Sequence, residues 1–398
     1  MELASIGVTA QTGNSDLIRI IREEIDANAG QISFARFMAL ALYHPEYGYY
    51  LGDERKPGRG GDFITAPEAS PYFGLTLARQ MAEFWERLGQ PRRWVIREYG
   101  AGHGGLAYDI VAGLSEEFPE AAAGLQYRLV EPNAHLIERA MAGMATVGLD
   151  AIVVPEPIAT AGEDLEPITG VVLANEVADA LPVHRLVIRD GAVRERFVAW
   201  QLERFADVVG EPNAEVALAF GKLAAQGIRF ADGDKFEISL DAPAWFAGAC
   251  RGLARGYAMT IDYGYLAPAL YASHRLAGTV RGYSEHTVTD DPYLRVGEQD
   301  LTAHVDFSAL IEAGILGGAE LAGHTSQGAM LASLGLGERL IQLQRDPDAT
   351  TADLFSARAV VLRLIDPGGL GRFSVLIIAK DAPVDPPLLS FAVAAPAF

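Results

Sequence analysis

The chain contains a single cysteine, Cys250, in 398 residues. That excludes an intramolecular disulfide framework and any zinc cluster built on several thiolates. It fits a reducing compartment. Basic residues are scarce: 32 Lys and Arg stand against 52 Asp and Glu, for a net charge of -20 at pH 7. The acids are spread along the chain rather than gathered in a tail, so no nucleic-acid partner is expected. No run of eighteen apolar residues occurs, and no membrane span is expected. The opening "MELASIGVTAQTGNSD" has neither a basic region followed by an apolar stretch nor the Arg-rich, acid-poor character of a mitochondrial presequence. The expected location is a bacterial-type cytoplasm.

Apolar side chains are plentiful, at 50% of the residues, and this length predicts about two domains with a sizeable core. Residues 15 to 50 read as two helices, the second capped by Ser33 and stopped before Pro45, followed by the aromatic turn "HPEYGYY". The stretch "LGDERKPGRGGDFITAPEASPYFG" is too rich in Gly and Pro for a regular element, and Ser70-Pro71 then opens a helix that runs to Gly89. Beyond it, strands and helices alternate as in a parallel α/β sheet: "RWVIRE", a glycine turn and helix to about Phe118, "YRLVE", a helix from Asn133, "AIVV" and "GVVLANE". Residues 184 to 240 break the alternation. There an Asp190-Gly191 turn between two β-like runs predicts an inserted, partly antiparallel lobe. The pattern resumes with a helix "APAWFAGACRGLARG", a strand "YAMTIDYG" and a closing strand "FSVLIIAKD", and residues 265 to 345 read as an irregular stretch.

"VIREYGAGHGGLAYDI" admits two readings. Gly100, Gly102 and Gly105 spell the G-x-G-x-x-G of a dinucleotide site, whereas Glu98, Gly100, Gly102 and Gly104 spell the acid-x-G-x-G-x-G turn of an S-adenosylmethionine (SAM) site. A pyrophosphate wants backbone N–H groups and no neighbouring negative charge. SAM instead presents an ammonium group, for which an acid just before the turn is useful. Glu98 favours SAM. Glu131, at the end of the next strand, suits ribose hydroxyls in either class and does not discriminate.

"LANEVADALPVHR" follows the fourth strand, whose carboxyl end faces the ligand crevice of an open α/β sheet. Asn175 is placed to bond the cofactor or nucleophile. Glu176 and Asp179 are a pair of acids that match the donor fork of a guanidinium; a polar strand end before a solvated helix start is the alternative. "GGDFITAPEAS" contributes Asp62, Thr65, Glu68 and Ser70, although on its residues alone the stretch favours a self-supporting surface loop. A later cluster supplies Tyr283, His286, Asp300, His304 and Asp306. His304-x-Asp306 is too little for a metal site, and no metal is expected.

These residues resemble the MidA-type SAM-dependent methyltransferases, a family that includes the mitochondrial complex I assembly-factor methyltransferase. The resemblance rests on "HPEYGYY", "GDFITAPEASPYFG", the glycine turn, "NEVADALPVHR", "IDYG", "GTVRGYSEH", "DLTAHVDF" and "QGAMLASLGL", in order along nearly the whole chain. It implies a class I methyltransferase fold, a Rossmann-like α/β sheet with an N-terminal helical lid and an inserted, partly antiparallel lobe. The corresponding divisions are 1–90 for the lid and "GDF" loop, 91–183 and 241–398 for the sheet domain, and 184–240 for the lobe, with a substrate-facing insertion at about 265–345.

The resemblance also implies that Gly100, Gly102 and Gly104 cradle SAM and that Glu131 holds its ribose. The loop bearing Asp62, Thr65 and Ser70 would close over the site, and Tyr283, His286, His304 and Asp306 are substrate-facing candidates. Where the family has "ELGPGRG", this chain has Tyr99, Ala101 and His103 at the three positions between Glu98 and the glycines. The expected activity is methyl transfer from SAM to a protein arginine, with Asn175, Glu176 and Asp179 as catalytic residues and a role in respiratory complex assembly. The expected partners are a protein substrate, with a complex I subunit as candidate, and a second copy in a homodimer. Competing functions are a SAM-binding assembly factor without turnover and an NAD-dependent oxidoreductase.

Overall fold

The computed structural model of the chain describes residues 12–52, 70–158, 166–272, 277–284 and 287–393. Its centre is a mixed seven-stranded sheet. The chain enters through helices α1 (Ser15–Ala27), α2 (Phe34–Tyr43) and α3 (Tyr72–Arg87). Asn14 and Ser33 cap the first two, each accepting hydrogen bonds from first-turn N–H groups. There follow β1 (Trp94–Tyr99), α4 (Gly105–Glu117), α5 (Pro119–Ala123), β2 (Leu125–Val130), α6 (Ala134–Thr146), β3 (Val153–Pro155) and β4 (Ile168–Asn175). An antiparallel lobe is built from β5 (His184–Arg189), β6 (Ala192–Gln201), β7 (Arg204–Gly210), α7 (Ala214–Ala225) and β8 (Lys235–Ile238), in the order β7-β6-β5-β8. The sheet is then rejoined by α8 (Asp241–Arg251) and β9 (Leu253–Asp262).

The stretch 265–345 is more regular than its sequence suggests. After β10 (Gly264–Tyr265) and α9 (Ala267–Leu270) come three short antiparallel strands, β11 (Arg281–Ser284), β12 (Thr287–Thr289) and β13 (Asp300–Thr302). Next are β14 (Val305–Asp306), α10 (Phe307–Leu316), β15 (Glu320–Ser326), α11 (Gln327–Ser333) and α12 (Leu336–Arg345). A further helix, α13 (Thr351–Ile365), opened by a Thr350/Asp353 capping box, precedes the last strand, β16 (Ser374–Lys380). Periodicity hid β15 because its residues are half-exposed. Its place is set by antiparallel pairing with β16, not by an apolar pattern. Leu253 to Gly256, read as the end of a helix, form the start of β9, where Gly256 pairs with Lys380 and Leu253 is buried.

The sheet order is β15-β16-β9-β4-β1-β2-β3. The strands from β9 to β3 run parallel, and β16 is antiparallel to β9 and β15. Successive strands from β1 step outward to β3, then cross back to β4 on the other flank of β1. That reversal opens a crevice at the carboxyl ends of β1 and β4, where open α/β sheets bind ligands. Helices α3 and α4 cover one face of the sheet and α8 and α10 the other.

The N-terminal helices pack on the lobe instead. Phe37 meets Phe205 and Tyr293 edge-on at 5.3 and 5.2 Å, the Arg185 guanidinium lies over the Phe34 ring at 4.9 Å, and Ile32 bridges to Val198. Among the described residues no helix is long and apolar enough to cross a membrane.

Arg97 lies fully buried in β1, one residue before Glu98. Its guanidinium pairs bidentately with Glu156 at 2.7 Å and donates to the Glu166 carbonyl at 3.0 Å. Removing one member of such a pair leaves a buried charge uncompensated. Arg97→Ala is therefore expected to cost about 3–5 kcal/mol of unfolding free energy, read by urea denaturation; an unchanged midpoint would show the pair to be dispensable.

Candidate active site

At the topological reversal lies a cavity of about 560 Å³, within the usual range for small-molecule sites. Glu98 and Tyr99 reach it from the end of β1, Gly100 to His103 from the turn, Glu131 from the end of β2, and Asn175 and Glu176 from the end of β4. Tyr43, Tyr49 and Tyr50 close it from α2 and the aromatic turn that follows, and Asp300 enters from β13.

The turn after β1 has the backbone that its glycines foretell. Gly100, Gly102 and Gly104 all have positive φ, at 66°, 54° and 79°. A Cβ on Gly100 would lie 2.7 Å from Val177 Cγ2, so the turn and the β4 end approach too closely for any side chain there. A Cβ on Gly102 would meet nothing within 4 Å, since that residue faces the cavity. Gly104 differs: it packs against helix α6, where a Cβ would stand 3.1 Å from Met144 Cε and 3.2 Å from Ala140 Cβ. It lies outside the cavity wall and forms the left-handed start of α4.

Glu131 ties the turn to α6. Its two carboxylate oxygens accept from the N–H groups of Gly102 at 2.9 Å and Asn133 at 3.0 Å. Glu98 is buried, with the Tyr127 hydroxyl donating to it at 2.9 Å, and burial pushes its carboxyl up to about 8.

The β4 end is organised by a residue that sequence reasoning did not single out. Asp262, at the end of β9, accepts from the N–H groups of Val177, Ala178 and Asp179 at 3.2, 2.9 and 3.2 Å through one oxygen, and from Tyr263 N–H at 2.8 Å through the other. This holds the short 3₁₀ turn Ala178–Ala180 against the sheet and leaves Glu176 with φ of 55°, a left-handed backbone rare for a side chain of its size. Asp179 is buried, hydrogen-bonded by Tyr263, with burial pushing its carboxyl up to about 6. Asn175 donates to Glu176 at 3.1 Å, while its Oδ1 is buried and accepts no hydrogen bond.

Six acids line the cavity, Glu98, Glu131, Glu176, Asp179, Asp241 and Asp300, and no Lys or Arg does among the described residues. A dinucleotide pyrophosphate has no counter-charge there. A cationic ligand with an adenosine part does fit: acids for positive charge, a glycine backbone it can approach, and Tyr99 packed edge-on against Trp245 at 5.7 Å as an apolar wall.

Other expected site residues lie elsewhere. Asp306 caps α10, accepting from the N–H groups of Ser308 and Ala309, and lies, with His304, on a separate cleft beside α7. The His304 ring packs 5.8 Å from Tyr263. Ser70 accepts from Tyr72 N–H at 3.1 Å at the head of α3 and borders a different hollow with Gly104. Tyr283 pairs in register with Asp300. Asp62, Thr65 and His286 fall outside the described residues. Tyr43, Tyr50 and Asp241 were not among the expected site residues, and Asp300 stood out only as a member of its polar cluster, not as substrate-facing; the crowding of tyrosines in "HPEYGYY" was the one local signal for part of this set.

The sheet order and the acid-lined crevice define a class I, SAM-type α/β methyltransferase fold. A family model for S-adenosyl-L-methionine-dependent methyltransferases matches residues 76–325. The chain belongs to that family and is a SAM-dependent methyltransferase, which overturns the dinucleotide reading of the turn. A crystal structure of a Burkholderia thailandensis superfamily member bound to S-adenosyl-homocysteine is 33% identical, with a TM-score of 0.86 over 96% of each chain. A native structure from the same organism is 32% identical with a TM-score of 0.83, again over 96% of each chain. Among curated proteins, the mitochondrial protein arginine methyltransferase NDUFAF7 homolog of Drosophila melanogaster is 27% identical over 92% of this chain and 85% of its own. The Danio rerio mitochondrial protein arginine methyltransferase NDUFAF7 is 27% identical over 93% and 89%.

The Glu98 carboxyl, raised by burial from 4.5 to about 8, ties stability to pH. Its folded value exceeds its unfolded one, so the contribution is fully present below about pH 4.5 and lost as pH rises through 8. Glu98→Gln keeps an acceptor for Tyr127 and removes the loss. It should match the wild type near pH 4.5 and exceed it by roughly 3–5 kcal/mol at pH 9. Thermal melts across that range check this, and parallel curves would show Glu98 to titrate normally.

Proposed function

We propose that the protein transfers the methyl group of SAM to an arginine side chain of a protein substrate. The observation that carries this reading is the set of acids away from the glycine turn, Glu176, Asp179, Asp241 and Asp300, in a cavity that no Lys or Arg lines among the described residues. Such a surface selects a cation, and a guanidinium offers the planar donor fork that paired carboxylates accept. The arginine-methyltransferase names of relatives similar over most of the chain support the same acceptor. A subunit of a respiratory complex is the substrate class we infer from that resemblance.

SAM, when bound, supplies an electrophilic methyl group on a sulfonium. Glu98 holds its ammonium group, the backbone of Gly100 and Gly102 allows close approach, and Glu131 receives the ribose hydroxyls. Asn175 Oδ1 accepts an N–H of the incoming acceptor. Glu176 and Asp179 localise the guanidinium charge so that one nitrogen faces the methyl carbon. One of these carboxylates takes the proton that nitrogen loses as the N–C bond forms and the C–S electron pair returns to sulfur. Alignment and exclusion of water do the remaining work. The tyrosines of the aromatic turn close that side of the cavity.

Glu176→Gln is expected to lower methyl incorporation roughly 10²-fold while S-adenosyl-homocysteine still binds by calorimetry. A fully active variant would remove Glu176 from the reaction. The acceptor itself is read by incubating the enzyme and methyl-labelled SAM with extract from cells lacking it, then hydrolysing the labelled protein. Labelled methylarginine is expected; label on lysine or a carboxyl group would sink the arginine reading.

Binding of SAM to a Glu98 carboxyl that is mostly protonated at pH 7 should release up to one proton. Calorimetry in buffers of differing ionisation enthalpy measures this. Zero proton release would show that Glu98 is already ionised or does not face the ammonium group.

A further inference from the structure

Asp300 comes from a strand far from the glycine turn in sequence, is 1% exposed, and yet lines the same cavity. Burying a carboxylate among other carboxylates is costly unless something positive arrives. We propose that Asp300 is a third acceptor-binding carboxylate, alongside Glu176 and Asp179, and that Tyr50 is the positioning residue that aims it. This rests on the reading of a cationic acceptor.

The geometry joins Asp300 to Asp179. The Ala303 N–H, three residues beyond Asp300, donates to the Asp179 carbonyl at 2.9 Å, drawing the two segments together. The hydroxyls of Tyr43, Tyr50, Tyr263 and Tyr283 are all held protonated, by burial first and then by the charges of both Asp179 and Asp300. Asp179 and Asp300 both line the one cavity, with Tyr43 and Tyr50 beside them. Tyr43 and Tyr50 stack at 5.5 Å with 25° between planes, which adds an aromatic wall suited to a flat cation.

Tyr50 is held at both ends. Its hydroxyl donates to Asp300 Oδ1 at 2.7 Å, while its carbonyl accepts from Asn133 Nδ2 at 2.7 Å. The Asn133 N–H donates to Glu131, which also receives the N–H of Gly102. A continuous series of hydrogen bonds therefore runs from the cofactor turn through the N-terminal aromatic turn to Asp300. Tyr43 adds a strut, donating to the carbonyl of Ala180, next to Asp179, at 3.1 Å. The acceptor compartment is complete only when the N-terminal segment is docked.

The test uses the full chain saturated with S-adenosyl-homocysteine and titrated with Nα-acetyl-arginine amide, with the neutral citrulline amide as control. The wild type should bind the arginine amide and reject the citrulline one. Asp300→Asn should weaken the arginine amide about tenfold or more, with S-adenosyl-homocysteine affinity within about twofold of the wild type. Tyr50→Phe keeps the stacked ring and removes only the hydroxyl. It should bind the amide less tightly and raise KM for the methylated protein while kcat stays near the wild-type value, a split that general loss of structure does not produce.

Wild-type amide binding in both variants, or no discrimination between arginine and citrulline amides, overturns the inference. The two readings fail separately. Methylarginine formed by Asp300→Asn with unchanged KM removes Asp300 and leaves the arginine acceptor standing. Label on another residue, with amide binding still dependent on Asp300, removes the arginine acceptor and leaves the cation site.

Discussion

The Asp262 carboxylate, filled by four backbone N–H groups, is the constraint on which the site's geometry depends. The turn after β4 leaves the sheet with several N–H groups in a row and no strand to receive them. A buried donor without a partner is costly, and Asp262 resolves the difficulty from the neighbouring strand. In doing so it presses residues 177 to 179 against β9, fixes the left-handed backbone at Glu176, and sets Asp179 in a buried position beside Tyr263. Burial and the nearby charges of Asp179 and Glu176 push its own carboxyl well up, so the arrangement is electrostatically expensive. Its persistence is in line with function being stored in strained, charged places.

That expense is shared around the cavity. Glu98, Glu131 and Asp179, which line it, also have carboxyls raised chiefly by burial. A core built for stability alone would replace such groups with apolar ones. A cavity meant to receive positive charge gains from them, because each carboxylate regains its lost solvation from the ligand. The same low-dielectric setting that makes the empty acids costly makes a bound cation's interactions strong.

The N-terminal segment shows how a second layer is fastened to the sheet. Helices α1 and α2 rest on the antiparallel lobe through aromatic and cation–π contacts, while the turn after them reaches the cofactor side through Tyr50 and Asn133. Lobe, helices and sheet thus meet at the cavity rim, and no single element builds the site. This explains why 265–345, although weakly patterned, carries a cavity acid: β13 is held by pairing with β11 and by the Ala303 to Asp179 hydrogen bond, both long-range.

Local chemistry alone determined a good deal. The alternation of buried strands and helices, the glycines that must adopt positive φ, and the acids at the ends of β1, β2 and β4 are properties of short segments, and the sequence states them because backbone conformation at a glycine and burial along a strand are local matters. Glu98 before the glycine turn already pointed to SAM, and the wider family resemblance added the expectation of a protein arginine as acceptor. What only the tertiary structure decided were the pairings between distant residues: Asp262 with the β4 turn, Tyr50 with Asp300, and the bond that brings Asp300 toward Asp179. It also moved Gly104 from the cavity to a helix contact and Asp306 from the site to a helix cap. A carboxylate reads the same in sequence whether it caps a helix, receives backbone N–H groups or lines a cavity. Its role is set by which donors the fold places around it.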